Sequence, residues 1–168
     1  MNAKPNPSLQ KKTAARMAAV QCLYTLAVGG EKLSPAEQVV ILKKQLVNNK
    51  GEQKLQVGVP LEPNYKLLET LLEGVEKWQD SIDERLVNTL GEGWKRERLS
   101  PLLIAILQCA IFELFFDKDV KPKIIIDEYT RLTRSFFAEG EVSFVHAGLS
   151  KLSKKYHANP FPAGEGQG

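Results

Sequence analysis

A chain of 168 residues is the length of one domain or two very small ones, long enough to bury roughly 70% of the surface its unfolded form exposes. Its 43% hydrophobic and 26% charged residues are ordinary for a soluble globular protein and exclude a disordered or membrane-embedded composition. The net charge is only +3, so the placement of the charges carries more information than their sum.

Residues 1–7, MNAKPNP, carry two prolines among polar residues and predict a flexible N-terminal arm, without the apolar core of a secretory signal after its basic residues. From Ser8 to about Val28 the pattern is helical. Ala14, Met17, Val20, Tyr24 and Ala27 recur at helical spacing with Leu23 beside them, and Gly29-Gly30 stops the run. Lys4, Lys11, Lys12 and Arg16 all precede the first acidic residue, Glu31. Positive charge at a helix N-terminus opposes the helix dipole. The simple reading is a solvated helix start; the alternative is an external anion, for which nucleic-acid phosphate is the usual one.

Ser34-Pro35-Ala36-Glu37 is a capping box that opens a second helix to about Val47, with Val39, Val40, Leu42 and Leu46 as its buried stripe. Residues 48–63 are polar and hold Gly51, Gly58, Pro60 and Pro63, the composition of a mobile linker. A third helix is expected from Asn64 to about Trp78, with Tyr65, Leu68, Leu71, Leu72 and Val75 on one face. A fourth is expected from a second capping box, Ser81-Ile82-Asp83-Glu84, to Leu90, ended by Gly91 and Gly93. Trp94–Leu99 reads as a solvated, charged bridge.

The stretch Ser100–Phe116, SPLLIAILQCAIFELFF, organises the rest. Its one charge is Glu113, and apolar residues fall on nearly every side, so a helix here must be buried all round. It falls short of the roughly 20 apolar residues that cross a bilayer. A buried strand is the competing reading. The length of the run and the Ser100-Pro101 start, a hydroxyl cap followed by a proline at the first helical position, favour a central core helix.

After a tight turn over Asp117–Pro122, Lys123–Phe137 reads as helix. Ile124, Ile125 and Ile126 open it, and Tyr129, Leu132, Thr133 and Phe136 continue its inner face. Three consecutive isoleucines also suit a strand, but nothing in the chain offers a second strand to pair with it. Gly140 marks a turn, and Glu141–Tyr156 is the last helix, with Val142, Val145, Leu149 and Leu152 inward and Lys151, Lys154 and Lys155 complementing its C-terminal dipole. Residues 159–168 are Pro/Gly-rich and predict a disordered tail. The expectation is therefore an all-α domain of about seven helices over residues 8–158.

Chemistry-bearing motifs are sparse. Cys22 and Cys109 sit far apart in apolar helical segments, which predicts buried reduced thiols suited to the cytoplasm. His146 and His157 make no metal-ligand pair with them. No Gly-rich phosphate loop follows a strand, no nucleophile motif appears, and Asp127-Glu128 reads as a solvated helix face. The sequence points to a binding module without cofactor or metal rather than to an enzyme.

Four segments carry a resemblance. AARMAAVQCLYTL (Ala14–Leu26), AILQCAIFELFF (Ala105–Phe116), DVKPKIIIDEYTRLTRSF (Asp119–Phe136) and SFVHAGLSKL (Ser143–Leu152) resemble the NusB family of bacterial transcription antitermination factors in order and spacing. The likeness is strongest over Ala105–Leu152 and weak over Glu31–Trp94. It implies an all-α fold of two small helical subdomains packed around the buried central helix. It implies binding of boxA-like RNA together with the small-subunit ribosomal protein NusE, and through them an indirect link to the RNA polymerase elongation complex. The same fold occurs as the N-terminal domain of some RNA methyltransferases, for which this chain is expected to leave no room.

Carried over by position, the family's basic cluster falls on Lys11, Lys12, Thr13, Ala14 and Arg16, with Lys4 upstream. Lysine is a point charge without the bidentate fork of arginine, so phosphate attraction is expected to be weaker and less oriented than with the family's usual arginines. Phe144 falls where the family places an aromatic that meets an RNA base, and His146 stands where its usual Phe-Val-Asn-Gly has asparagine, in contact with RNA or packed. Leu102 and Leu103, at the start of the central helix, and Glu141 fall on the expected protein interface. Where the family's central helix is dotted with charge, this chain has Leu102-Leu103-Ile104. A diverged module that binds another protein and has lost boxA recognition is the alternative. No membrane partner is expected, and the oligomeric state is expected to be a monomer or a weak homodimer.

Overall fold

A computed structural model describes residues 6–48, 62–90, 96–116 and 120–156. Lys4, most of the 48–63 linker and the 159–168 tail lie outside the described residues. The described chain forms seven α-helices and one short 3-10 turn, with no strand among the described residues. They are α1 (Pro7–Ala27), α2 (Pro35–Asn48), α3 (Tyr65–Lys77), α4 (Gln79–Leu90), the turn Arg96–Arg98, α5 (Pro101–Phe116), α6 (Pro122–Arg134) and α7 (Glu139–Tyr156). The chain divides into two compact units, Met1–Glu73 and Gly74–Gly168, so the boundary falls inside α3.

In the first unit, α1 begins where Asn6 caps it: the Ser8 N–H donates to the Asn6 carboxamide oxygen at 2.9 Å, with Pro7 at the first helical position. Its buried stripe is small, comprising Ala14, Ala15, Ala18, Ala19 and Val20. The expected Tyr24 and Ala27 are exposed instead. The first capping box forms as expected, Ser34 N–H to the Glu37 carboxylate at 3.1 Å and Glu37 N–H to the Ser34 hydroxyl at 3.2 Å. Gln38, Val39 and Leu42 are buried on α2, whereas Val40 is 50% exposed and lies off that face. Asn64 caps α3 through the Leu67 N–H at 3.0 Å.

In the second unit α5 is the core. Leu103 and every residue from Ala105 to Phe115 are buried, and α4, α6 and α7 pack on it. α6 contributes Ile125, Ile126, Tyr129, Leu132 and Thr133, and α7 contributes Val142, Val145, Leu149 and Leu152. The Ser100 hydroxyl accepts from the Leu102 N–H at 3.2 Å, the cap expected of it. Gly74, in the last turns of α3, is buried where an added Cβ would land on the Phe112 ring. A glycine inside a helix needs such a packing reason, since it costs about 1 kcal/mol against alanine. The lone charged residue of α5, Glu113, is 3% exposed and accepts the Tyr129 hydroxyl at 2.8 Å. The Arg85 guanidinium lies 4.4 Å from the Phe115 ring centre and 4.7 Å from that of Tyr156, and burial lowers its pKa.

Three helix boundaries differ from expectation. α4 opens at Gln79 and passes through Ser81, because buried Trp78 links α3 to α4 directly and the Ile82 N–H already bonds the Trp78 carbonyl at 2.9 Å. α7 opens at Glu139, which places Gly140 inside the helix rather than in a turn. α6 ends at Arg134, leaving Phe136 half-buried beyond it, while Ile124 is 51% exposed.

Candidate nucleic-acid interface

The start of α1 has the features of an anion-attracting helix end. Its first turn holds no acidic side chain, and the unpaired N–H groups of a helix start carry partial positive charge. Lys11 is exposed and Lys12 half-buried, one turn into the helix. The Lys11 backbone is held from outside α1, its carbonyl accepting the Asn64 N–H at 2.9 Å. Thr13 turns its hydroxyl inward to the Leu9 carbonyl at 3.1 Å. Arg16 departs from expectation: it is 6% exposed, in line with the alanine stripe, so the surface cluster consists of the two lysines. The spacing explains this, because Arg16 lies beside Ala15 and Ala19 on the apolar face.

The remaining candidates belong to the second unit. Phe144 is half-buried on α7, and His146 is exposed. Residues two apart on a helix face in nearly opposite directions, so Phe144 and His146 do not share a surface. Glu141 is half-buried and, three residues before Phe144, does share its face. Leu103 is a correction: it is 4% exposed and faces the core from the first turn of α5, while Leu102 and Ile104 on either side of it are half-buried.

Sequence reasoning missed Arg85, whose place was legible: Ile82, Arg85 and Leu86 fall on one helical face, and a cation on an apolar face needs partners such as these two rings. Among the described residues no group of three or more His, Cys, Asp or Glu side chains could hold a metal ion. No helix among the described residues is long and apolar enough to cross a membrane.

A family model described as the NusB family matches residues 13–154. This chain belongs to the NusB family. The transcription antitermination protein NusB of Caulobacter vibrioides is 31% identical over 150 residues, covering 87% of this chain and 94% of that one. That of Gluconobacter oxydans is also 31% identical over 150 residues, covering 89% and 91%. Among solved structures, T. maritima NusB superposes with a TM-score of 0.66 at 21% identity, covering 90% of this chain and 94% of that one. A chain in the crystal structure of a plectonemic RNA supercoil gives 0.67 at 24% identity, covering 88% and 96%. At these identities the two structures establish the NusB fold alone. The family match takes in Arg16, Phe144, His146, Leu102, Leu103 and Glu141 and begins just after Lys11 and Lys12.

Proposed function

We propose that this protein is a transcription antitermination factor that binds boxA-like RNA of nascent transcripts together with the ribosomal protein NusE, and through that pair acts on the RNA polymerase elongation complex. The observation that carries the reading is the family match over residues 13–154. It is supported by the acid-free start of α1, where exposed Lys11 and half-buried Lys12 sit at the positive end of the helix dipole. In this reading the lysines supply phosphate attraction, and Phe144 offers a ring for a base, a contact worth roughly 1–3 kcal/mol. His146 belongs to a different face of α7 and makes at most a separate contact. Lys4, upstream of α1, adds to the same basic start. The protein works as a monomer or weak homodimer, without metal or cofactor.

Salt dependence of RNA binding tests this. The double variant Lys11→Ala/Lys12→Ala should weaken binding and make the log–log salt slope shallower by about 1.4, at roughly 0.7 per phosphate contact on a single strand. Adding Arg16→Ala should leave the slope of the double variant unchanged, because Arg16 is buried. An unchanged affinity and slope in the double variant would remove the lysines from the site.

A second reading, a diverged protein-interaction module that has lost boxA recognition, draws on the burial of Arg16, which leaves a thin surface cluster. The apolar start of α5 gives it little help, since Leu103 is in the core. Recovery of NusE from the native host would decide between the two.

A further inference from the structure

From Ser143 to Tyr156 the chain holds no aspartate or glutamate and three lysines, Lys151, Lys154 and Lys155. All three are exposed on α7. The helix dipole accounts for cations in the last turn, where Lys154 and Lys155 stand, and its effect falls off before Lys151. Lys155 has a partner of its own: its Nζ donates to the Asn88 carbonyl of α4 at 2.7 Å. Lys151 and Lys154 make no hydrogen bond or ion pair with the described residues. The acidic side chains of the helix, Glu139 and Glu141, are both in its first turn.

Helix geometry fixes where Lys151 lies relative to Phe144. Seven residues make about 1.9 turns and rise about 10 Å, so the two side chains share one face, two turns apart. Ala147, exposed, and Gly148, buried, occupy the turn between them. Neither carries a side chain beyond Cβ, so the helix surface there is shallow and a chain laid along it approaches closely. Lys154 follows Lys151 by three residues and flanks the same track. Glu141, one turn before Phe144, bounds the other end with negative charge. The face thus runs from a carboxylate, past a half-buried ring and two small residues, to two cations.

Sites for single-stranded nucleic acid join these parts: a ring on which a base stacks and a line of positive charge that follows the backbone. We propose that α7 carries a second set of phosphate contacts, with a single RNA strand running along the helix axis from a base on Phe144 to phosphates held by Lys151 and Lys154, away from Glu141. This rests on RNA being the ligand, as in the proposed function, and adds further binding residues and the line of the strand. With Arg16 buried in α1, the lysines of α7 double the phosphate contacts that Lys11 and Lys12 supply.

The test is fluorescence anisotropy with two labelled probes, boxA RNA in the presence of the host's NusE and single-stranded oligouridine without it, titrated with the full-length protein over a range of salt concentrations. Lys151→Ala/Lys154→Ala should weaken boxA binding and make the log–log salt slope shallower by about 1.4, at roughly 0.7 per single-strand phosphate contact. Lys151→Arg/Lys154→Arg should keep the wild-type slope. Lys155→Ala, which removes a lysine already held by α4, should leave the slope unchanged. The same loss should appear in the Lys11→Ala/Lys12→Ala background, because the two pairs meet different phosphates. Oligouridine should bind more weakly with the same dependence on Lys151 and Lys154, since stacking on a ring tolerates any base. Wild-type binding of boxA RNA with an unchanged slope in Lys151→Ala/Lys154→Ala would overturn this inference and leave the proposed function standing. Binding of oligouridine that depends on these lysines, without binding of boxA RNA, would do the reverse. Absence of binding to either probe would overturn both.

Discussion

Replacing Gly74 with alanine sets two magnitudes against each other. Helix propensity alone predicts a gain of about 1 kcal/mol, because glycine is the poorer helix former. Packing predicts a loss. The new methyl group would fall on the Phe112 ring, which is 2% exposed and stacked on Phe116 with ring centres 4.8 Å apart and an interplanar angle of 22°. A ring so enclosed cannot swing aside without moving α5, and overpacking of this kind costs about 1–3 kcal/mol. A clash this direct belongs at the upper end of that range. The net expectation is a destabilisation of about 1–2 kcal/mol, a fall in Tm of roughly 2–8 °C for a chain of this size. Urea and thermal unfolding would be followed by circular dichroism and by the fluorescence of Trp78, buried four residues further on. Phe112→Leu in the Gly74→Ala background should recover part of the loss. If Gly74→Ala is neutral or stabilising on its own, the helix-propensity term dominates and the close approach of α3 to α5 is not a constraint.

Three further outcomes follow from particular contacts. Arg85→Lys should cost about 1–2 kcal/mol in urea unfolding although the charge is kept, because a lysine cannot lay a planar group between the Phe115 and Tyr156 rings. Tyr129→Phe should cost about 1–3 kcal/mol by removing the hydroxyl that donates to buried Glu113, and a double-mutant cycle with Glu113→Gln should give a coupling of at least about 0.5 kcal/mol. Iodoacetamide should label Cys22 far more slowly at pH 8 than it labels a free thiol. Its folded pKa of about 11 lies above the ordinary 9.0, so the stability linked to it is intact below pH 9 and is lost as the pH rises from there through 11; rapid labelling of the folded protein at pH 8 would contradict the assignment.

The fold was legible wherever one local rule acted without competition. The all-round apolar run at Ser100–Phe116 allowed only a buried helix, and the Ser34–Glu37 capping box formed bond for bond. Misplacements came where a local signal met a tertiary demand. The Ser81–Glu84 box has the right letters, but burial of Trp78 and Ile82 carries the helix through it, so Ser81 is interior rather than a cap. Gly140 reads as a breaker in sequence, yet nothing lies within 4 Å of where its Cβ would be and its backbone is helical, so it starts α7 without strain. The candidate site was less legible than the fold. Exposure is a property of three-dimensional packing, and the sequence places Arg16 beside Lys11 and Lys12 in the same basic run. Its neighbours Ala15 and Ala19, one and three positions away on the apolar side of α1, were the signal that it turns inward.

The central claim is that this chain recognises boxA-like RNA jointly with NusE. Fluorescence anisotropy of labelled boxA RNA, titrated with the protein at two salt concentrations with and without the host's NusE, tests it most directly. The account predicts weak, salt-sensitive binding by the protein alone and a marked tightening when NusE is added. Absence of binding under both conditions, by protein whose circular dichroism confirms a folded helical chain, would contradict it.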